Sequence, residues 1–374
     1  MDFSFVFPCL NEEETVGQCI NTLKDSLKDA SLAYEIIVAD NGSSDKSAEI
    51  SGALGAIVVS VSEKGYGAAI KGGFSAAKGK YVIFADADGS YRLEDTLKLY
   101  DAAVKSDADM TIASRLNGTV EKGAMPFLHR FLGTPVLTFL INIFFSGKLT
   151  DCNSGFRCVK KTSFMKWNIR ANGMGFASEL LSKALKNKSA IEEIKSGLRK
   201  DLRSRPPHLK TWRDGMRHLL FILSEKPQIM EYPGLFLIIV TSILQVAALL
   251  TGPSSFLKLN VFDYHSHALL LLGGCIGAQL YLLGSSIYLV GADKPLRLTK
   301  RLINMDEAQL FFILISNFTA CAAVIAWVLF IWIERNFGNL NLINPFLVIL
   351  HFICVVGFLS IGLLGLHILK KAMK

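Results

Sequence analysis

Charge is what this sequence has least of. Of its 374 residues only 19% are Asp, Glu, Lys or Arg, against 51% hydrophobic, and the mean hydropathy is +0.37. That excludes a disordered chain and argues against a purely water-soluble one. The shortage is local: Gln228–Lys374 carries 15 charged residues in 147, Met1–Pro227 carries 57 in 227. Cysteine gives no framework. The seven (Cys9, Cys19, Cys152, Cys158, Cys275, Cys321, Cys354) are scattered without a CxxC pair, so neither a zinc site nor a disulfide scaffold is suggested. No secretory leader is expected, because Asp2 follows the Met and the first apolar stretch is about six residues long. The front part is therefore expected in the reducing cytoplasm.

The charge-poor part holds four uncharged apolar runs, Pro233–Thr251, Ala268–Ala292, Ala308–Ile333 and Pro345–Leu369, of 19, 25, 26 and 25 residues. A helix of about 20 residues spans a bilayer core, so four crossings are expected. Lys294, Arg297, Lys300 and Arg301 lie in the second loop, and Lys370, Lys371 and Lys374 in the tail. Positive loops stay cytoplasmic. That orients a multi-pass protein with its N-terminal part and C-terminus in the cytoplasm. With no Asp, Glu, Lys or Arg in any run, a transport pathway is disfavoured; His351 and His367 read as packing residues. Gly273, Gly274, Gly277 and Gly284 suggest close helix packing, and with it a homo-oligomer formed through the spans.

In the front part five Val-, Ile- or Phe-rich runs alternate with helical segments: Phe3–Pro8, Glu35–Asp40, Ala56–Val61, Lys80–Asp86 and Met110–Arg115. Helices are expected over Glu12–Asp29 and Leu93–Lys105. Such alternation predicts a mostly parallel sheet covered on both faces, with ligands at the carboxyl ends of the strands. No GxGxxG follows the first strand, which disfavours a nicotinamide-dinucleotide site. Asp86-Ala87-Asp88 at a strand end is more telling. Two carboxylates one residue apart can share a hard cation, Mg²⁺ or Mn²⁺, that also holds phosphate oxygens.

Six segments together resemble the GT-A-fold glycosyltransferases of family 2, and more narrowly the polyprenyl-phosphate (dolichyl-phosphate) sugar synthases. They are Pro8-Cys9-Leu10-Asn11-Glu12-Glu13, Asp40-Asn41-Gly42-Ser43, Lys64-Gly65-Tyr66-Gly67-Ala68-Ala69, Asp86-Ala87-Asp88, Asp151-Cys152-Asn153-Ser154-Gly155-Phe156-Arg157 and Phe176-Ala177-Ser178-Glu179. The resemblance covers roughly residues 3–227, and trailing membrane helices are shared by many members. It implies an α/β GT-A catalytic domain (1–194), a basic juxtamembrane amphipathic segment (195–230) and a four-helix transmembrane domain (231–374). Two positions depart from the family pattern. Many members have Asp-Asp where this chain has Asp40-Asn41, and some carry a further metal ligand where this chain has Ser90.

The resemblance implies inverting, metal-dependent transfer of one hexosyl unit from a nucleotide-sugar to polyprenyl or dolichyl phosphate. UDP-glucose or another UDP-hexose is expected before GDP-mannose. Pro8, Leu10, Glu12, Asp40 and Ala87 would line the nucleotide-sugar. Lys64 would approach its phosphates, where Gly65 and Gly67 let backbone come close. Asp86 and Asp88 would hold Mg²⁺ or Mn²⁺ on the diphosphate. Asp151 matches a base or orienting group, orienting being preferred because a phosphate monoester is already mostly dianionic at neutral pH. Glu179 is assigned to catalysis or acceptor positioning. Arg115, Arg130, Arg157, Arg203 and Arg205 are assigned to the lipid phosphate, which suits a fork-shaped cation, with Arg157 alternatively on Asp151.

Phe131–Ser146, 16 apolar residues interrupted by Gly133, Pro135 and Asn142, is too short to span comfortably and reads as an interfacial or re-entrant segment where a lipid could be presented. Lys195–Lys226 carries nine basic and three acidic residues, net +6, and suits anionic headgroups before the first span. No aromatic stacking platform accompanies it, so nucleic acid is not an expected partner. Rival readings are a processive polysaccharide synthase, disfavoured because no Gln-x-x-Arg-Trp run appears, and a non-catalytic scaffold or lipid-carrier flipping component.

Overall fold

The alternation of the N-terminal part folds into a seven-stranded sheet. The computed structural model describes residues 1–204, 211–251, 254–256, 259–261, 263–290, 295–336 and 343–373. The strands are β1 (Phe3–Cys9), β2 (Tyr34–Asp40), β3 (Ile57–Ser60), β4 (Tyr81–Phe84), β5 (Met110–Val120), β6 (Arg157–Lys160) and β7 (Ile191–Leu198), in the order β3-β2-β1-β4-β6-β5-β7. All pairings are parallel except those of β6, which runs antiparallel to both β4 and β5. This is the mostly parallel, Rossmann-like sheet of a GT-A domain. It belongs to a first compact unit, Met1–Ile222; a second spans Leu223–Lys374.

The helices of the first unit are α1 (Val16–Leu27), α2 (Ser47–Ala53), α3 (Tyr66–Ala76), α4 (Thr96–Lys105), α5 (Thr134–Phe145), α6 (Lys161–Trp167) and α7 (Phe176–Lys186), with α8 (Thr211–Ser224) ending just beyond it. They cover both faces, as a parallel sheet requires. Phe3, Phe5 and Phe7 point to the face packed by Ile20 and Leu23 of α1 and Leu99 of α4. Val6, one residue out of that alternation, joins Ile70 and Phe74 of α3 and Leu180 of α7 on the other. Four of the five expected strands sit within two residues of their sequence bounds. The fifth continues past Arg115 to Val120, with a register shift against β7 between Ser114 and Thr119. Such irregularities re-aim side chains, and this one frees Arg115 from the ladder.

Two strands carried no clear sequence signal. β6 is four residues of mixed polarity, and edge strand β7 reads Ile-Glu-Glu-Ile-Lys-Ser-Gly-Leu.

The second unit contains α9 (Gln228–Thr251), α10 (Tyr264–Val290), α11 (Arg297–Ile303), α12 (Glu307–Glu334), α13 (Ile343–Ala372) and a small hairpin of β8 (Ser254–Phe256) and β9 (Leu259–Val261). Four of these helices are long and apolar enough to cross a membrane: Gln228–Thr251, Tyr264–Leu289, Glu307–Glu334 and Asn344–Ala372. The protein is thus a membrane protein. α9 starts five residues before the expected run, so it includes an acidic residue after all. Glu231 is fully buried and accepts hydrogen bonds from Thr299 Oγ1 (2.6 Å) and the Leu296 N–H (3.2 Å), tying α9 to the start of α11.

Glu231, Gly234, Thr241, Gln245 and Ala248, the buried residues of α9, recur every three or four positions or at a multiple of that spacing, a seam for antiparallel α10. The glycines expected to bring neighbouring copies together are used inside this unit. Gly277 lies against the Gly234 carbonyl and Leu237, Gly274 against His351, Gly284 against Glu231, and Gly273 faces Thr241. A Cβ on Gly277 would stand 2.9 Å from both the Gly234 oxygen and the Leu237 Cβ. Gly277→Val should therefore lower the detergent-solubilised protein's melting temperature by several degrees, an overpacking cost of ~1–3 kcal/mol, with no change in oligomeric state by light scattering. His351 is buried and meets the Ser242 hydroxyl at 3.1 Å, a packing role.

Candidate active site

In the order β3-β2-β1-β4 the chain steps outward from β1 to β2 and β3 and then crosses back to β4 on the other side of β1, a reversal that opens a crevice at the strand ends. Three loops meet there. Asn11 after β1 has φ +58°, and its side-chain oxygen accepts the Ser44 N–H (2.7 Å), while its own N–H reaches Ser43 Oγ (2.9 Å). After β2, Asp40 turns its carboxylate onto the N–H groups of Gly42 (3.3 Å) and Ser43 (3.1 Å). Pro8 is half-buried on β1, Leu10 is exposed at the rim, and Ala87 is buried, its carbonyl accepting from Thr15 Oγ1 at 2.6 Å.

Asn41, the departure from Asp-Asp, has a structural cause. Its amide nitrogen donates to the carbonyls of Val61 (3.2 Å) and Glu63 (2.6 Å), while its side-chain oxygen accepts the Gly65 N–H (2.7 Å). A carboxylate can do the last of these and not the first two. Asn41→Asp should cost ~1–3 kcal/mol, checked by thermal unfolding, although it moves the sequence toward the family pattern. Lys64 is exposed and donates to the Asn41 carbonyl (2.9 Å). The close backbone approach expected at Gly65 and Gly67 is made by the chain itself. A Cβ on either would collide with the carbonyl of Asn172 or Ala171.

The carboxylates after β4 differ in environment. Asp88 is fully engaged: Oδ1 accepts from the Ser90 N–H (2.9 Å) and Ser90 Oγ (2.6 Å), and Oδ2 from Arg203 Nη2 (2.7 Å). Ser90 therefore orients Asp88 rather than offering its hydroxyl as a separate ligand. The Tyr66 hydroxyl lies beside Asp86 and acts to lower its carboxyl, while Asp86 Oδ1 is buried with no hydrogen-bond partner. Burial first, and then the neighbouring Asp88 charge, push the Asp86 carboxyl well above the usual carboxylate range. An orphaned buried oxygen beside a second carboxylate fits a divalent cation. Among the described residues no group of three His, Cys, Asp or Glu is arranged to hold a metal ion by itself. Further ligands would then come from a bound substrate, as is usual for Mg²⁺.

Behind this pair lies a buried ion pair. Arg115 meets Asp151 bidentately, Nε to Oδ2 at 2.7 Å and Nη2 to Oδ1 at 2.9 Å, and its backbone N–H adds 3.1 Å to Oδ2. Burial acts to raise the Asp151 carboxyl, but Arg115 and these hydrogen bonds outweigh it, so Asp151 stays ionised below the usual range. A carboxylate held so firmly is a poor proton acceptor and a good anchor.

Arg157 belongs neither to Asp151 nor to a phosphate: it is 1% exposed and donates to the carbonyls of Ser154 (2.7 Å), Cys152 (2.8 Å) and Ala177 (3.4 Å). Its guanidinium is spent pinning the 151–157 turn. Glu179 also differs from expectation. Buried, it accepts the N–H groups of Arg170 (3.0 Å) and Ala171 (2.6 Å) and pairs with Lys183 at 2.6 Å. It braces the loop that Gly65 and Gly67 press against, and so positions the crevice wall without facing it.

Arg203, assigned to the lipid phosphate from the sequence, pairs in the structure with Asp88, with Glu12 at 3.2 Å and with Asp201 at 2.5 Å. Arg205 falls outside the described residues. Arg130 is half-buried and stacks over Phe131, 5.4 Å from the ring centre. It opens an apolar ridge in which Phe127, Phe131, Leu132, Val136, Phe139 and Ile143 are all exposed. Sequence reasoning missed Tyr66 and Tyr91 as well as Asn41. Tyr91 receives the Gly155 N–H at 2.6 Å. A Cβ on Gly155 would come within 3.0–3.2 Å of both tyrosine hydroxyls and of Asp86. Tyr66 lay inside a quoted motif, but its partner is distant in sequence.

The family model described as "Glycosyl transferase family 2" matches residues 4–167. The low-salt glycan biosynthesis hexosyltransferase Agl6 of Haloferax volcanii is 34% identical over 290 residues, 77% of this chain and 67% of that protein. The dolichyl-phosphate beta-glucosyltransferase of Saccharomyces cerevisiae is 27% identical over 222 residues, 51% of this chain and 65% of that protein. Among solved structures, glucosyl-3-phosphoglycerate synthase from Mycobacterium tuberculosis, in complex with Mn²⁺, UDP and glucosyl-3-phosphoglycerate, is 22% identical. It covers 60% of this chain and 79% of that one at a TM-score of 0.48.

Proposed function

Since the chain belongs to glycosyl transferase family 2, we propose that it transfers a single hexosyl unit from a nucleotide-sugar to a polyprenyl phosphate, with inversion, at the cytoplasmic membrane face. The observation that carries the reading is the gathering of Asp86, Asp88 and Arg115 at the crevice. The orphaned Asp86 oxygen calls for a cation, and Arg115 is near enough to act on Asp86. The exposed ridge Phe127–Ile143 suits a lipid-bearing acceptor, and the named dolichyl-phosphate glucosyltransferase supports a glucosyl unit, with UDP-glucose or another UDP-hexose proposed as donor and GDP-mannose second. The basic second loop and tail support the reading of a cytoplasmic catalytic unit.

In this reading Pro8, Leu10, Glu12, Asp40 and Ala87 border the nucleotide, with Lys64 toward its phosphates. Mg²⁺ or Mn²⁺ held by Asp86 and Asp88 would neutralise charge on the departing nucleoside diphosphate. A lipid phosphate oxygen attacks the anomeric carbon as its bond to the diphosphate breaks, on the opposite face. The attacking dianion has no proton to lose, so Asp151 is required only to hold Arg115 in place. Arg115 and Arg130 offer planar cations to the acceptor phosphate.

The test is a donor panel. Full-length protein in detergent, polyprenyl phosphate and Mg²⁺ or Mn²⁺ are mixed in turn with radiolabelled UDP-glucose, UDP-GlcNAc, UDP-galactose and GDP-mannose. Mild-acid-labile label in the organic phase, strongest from a UDP-hexose, is expected. Absence of lipid-linked label from every donor overturns the reading.

A further inference from the structure

We propose that Arg203 is a built-in counter-cation. It pairs with Asp88, one of the two carboxylates that would hold the ion, and must leave it before a divalent ion can bind, so that the ion enters efficiently only together with a diphosphate. The inference rests on the metal-dependent reading above and goes beyond it.

The segment Arg199–Ser204 is strapped over the loop after β4. The Arg199 N–H bonds the Ser90 carbonyl (2.8 Å), and the Leu202 N–H bonds the Asp88 carbonyl (3.1 Å). The Leu202 side chain fills the space where Gly89 has no Cβ. Ser204 donates through both N–H (2.9 Å) and Oγ (2.6 Å) to Glu14. These contacts deliver the guanidinium of Arg203, 12% exposed, into a box of three carboxylates. Nη2 lies 2.7 Å from Asp88 Oδ2 and Nη1 3.2 Å from Glu12 Oε1, while Asp201 takes Nε and Nη2.

Ser90 already claims the other oxygen of Asp88. A hard cation, which needs oxygen ligands at about 2.0–2.1 Å, would have to share Oδ2 with a second positive charge. Asp86, with its bare Oδ1, is left as the half of the site that Arg203 does not satisfy. The arriving diphosphate resolves the conflict. It brings ligand oxygens for the ion and an anionic partner for the displaced guanidinium. By linkage, ion and nucleotide then strengthen each other's binding by the same factor.

The experiment is Mn²⁺ titration of the full-length protein in detergent, read by the EPR signal of free Mn²⁺, with and without UDP and with no acceptor. Wild type is expected to bind Mn²⁺ weakly alone and much more tightly with UDP. Arg203→Ala should bind Mn²⁺ alone about tenfold more tightly, the worth of one charge-assisted hydrogen bond removed from the competition, and should gain correspondingly less from UDP. Ser204→Ala, which loosens the strap but keeps the arginine, should shift Mn²⁺ affinity in the same direction by about threefold. It serves as the readout if Arg203→Ala misfolds. Arg203→Lys should fall between Arg203→Ala and wild type.

A merely structural Arg203 would lower the melting temperature without tightening Mn²⁺. Unchanged or weaker Mn²⁺ binding by Arg203→Ala, or by Ser204→Ala where it is the readout, overturns the proposal. The donor panel separates the two claims. Lipid-linked product with unchanged Mn²⁺ affinity sinks the counter-cation alone, and tightened Mn²⁺ affinity without product sinks the acceptor reading alone.

Discussion

Asp86→Asn should reduce sugar transfer by roughly a thousandfold or more while leaving the melting temperature unchanged or slightly higher. The two effects have one cause. Asp86 Oδ1 is buried without a partner, and burial together with Asp88 raises the carboxyl's pKa. A carboxyl raised in the fold stabilises the protein in its protonated form. That contribution is complete below the unfolded value of about 3.9 and is lost as pH rises through the folded value. At neutral pH the ionised group is thus a liability to folding, tolerated for what its charge does. Asparagine keeps the shape and the Tyr66 contact and removes the charge. Transfer assayed on the lipid-extracted product and thermal unfolding of the same preparation check both halves. A large drop in melting temperature would mean that Asp86 is a structural residue.

Asp151→Ala should instead cost ~3–5 kcal/mol of stability, because it leaves the Arg115 guanidinium buried and unpaired. Arg115→Ala should cost a similar amount, and the double variant less than the sum, since one interaction is lost in each case. Differential scanning of the three variants measures the coupling. The pair also sets an acid limit. Asp151 is held below the usual carboxylate range despite burial. The stability it supplies is therefore present above the unfolded value of about 3.9 and is lost as pH falls through the lower folded value. Wild type should lose stability in that acid window, and Asp151→Ala should show a flatter profile there. Transfer should fall in both single variants, because Arg115 is aimed only by this contact and by the irregularity of β5.

Much of the site's location was legible in the sequence because strand ends are. A buried strand is a short apolar run, its end is marked by the first polar residues, and a parallel sheet places ligands at those ends. Asp40, Asp86 and Asp88 follow from that reasoning alone. Arginine and glutamate assignments fared worse. Arg157 and Glu179 carry the same charges in sequence whether they face a substrate or a backbone carbonyl. Arg157 turned out to donate to three carbonyls, and Glu179 to brace a loop, since buried charges must be satisfied by whatever groups lie nearest. The glycines of α10 advertised close packing correctly and said nothing about whose helix would come close.

What the sequence by itself determined was the local pattern. It gave an alternating α/β front, four apolar helices behind it, paired carboxylates after the fourth strand and a basic stretch between the two parts. Periodicity and composition decide these because they concern neighbours along the chain. What only the tertiary structure decided was pairing across distance. Asn41 reaches Gly65, Tyr66 meets Asp86, Arg115 takes Asp151, and Arg203 crosses some 115 positions to Asp88. Each of those partners depends on where the sheet order and the loops carry the backbone, and a polar side chain accepts any suitable group brought within about 3 Å.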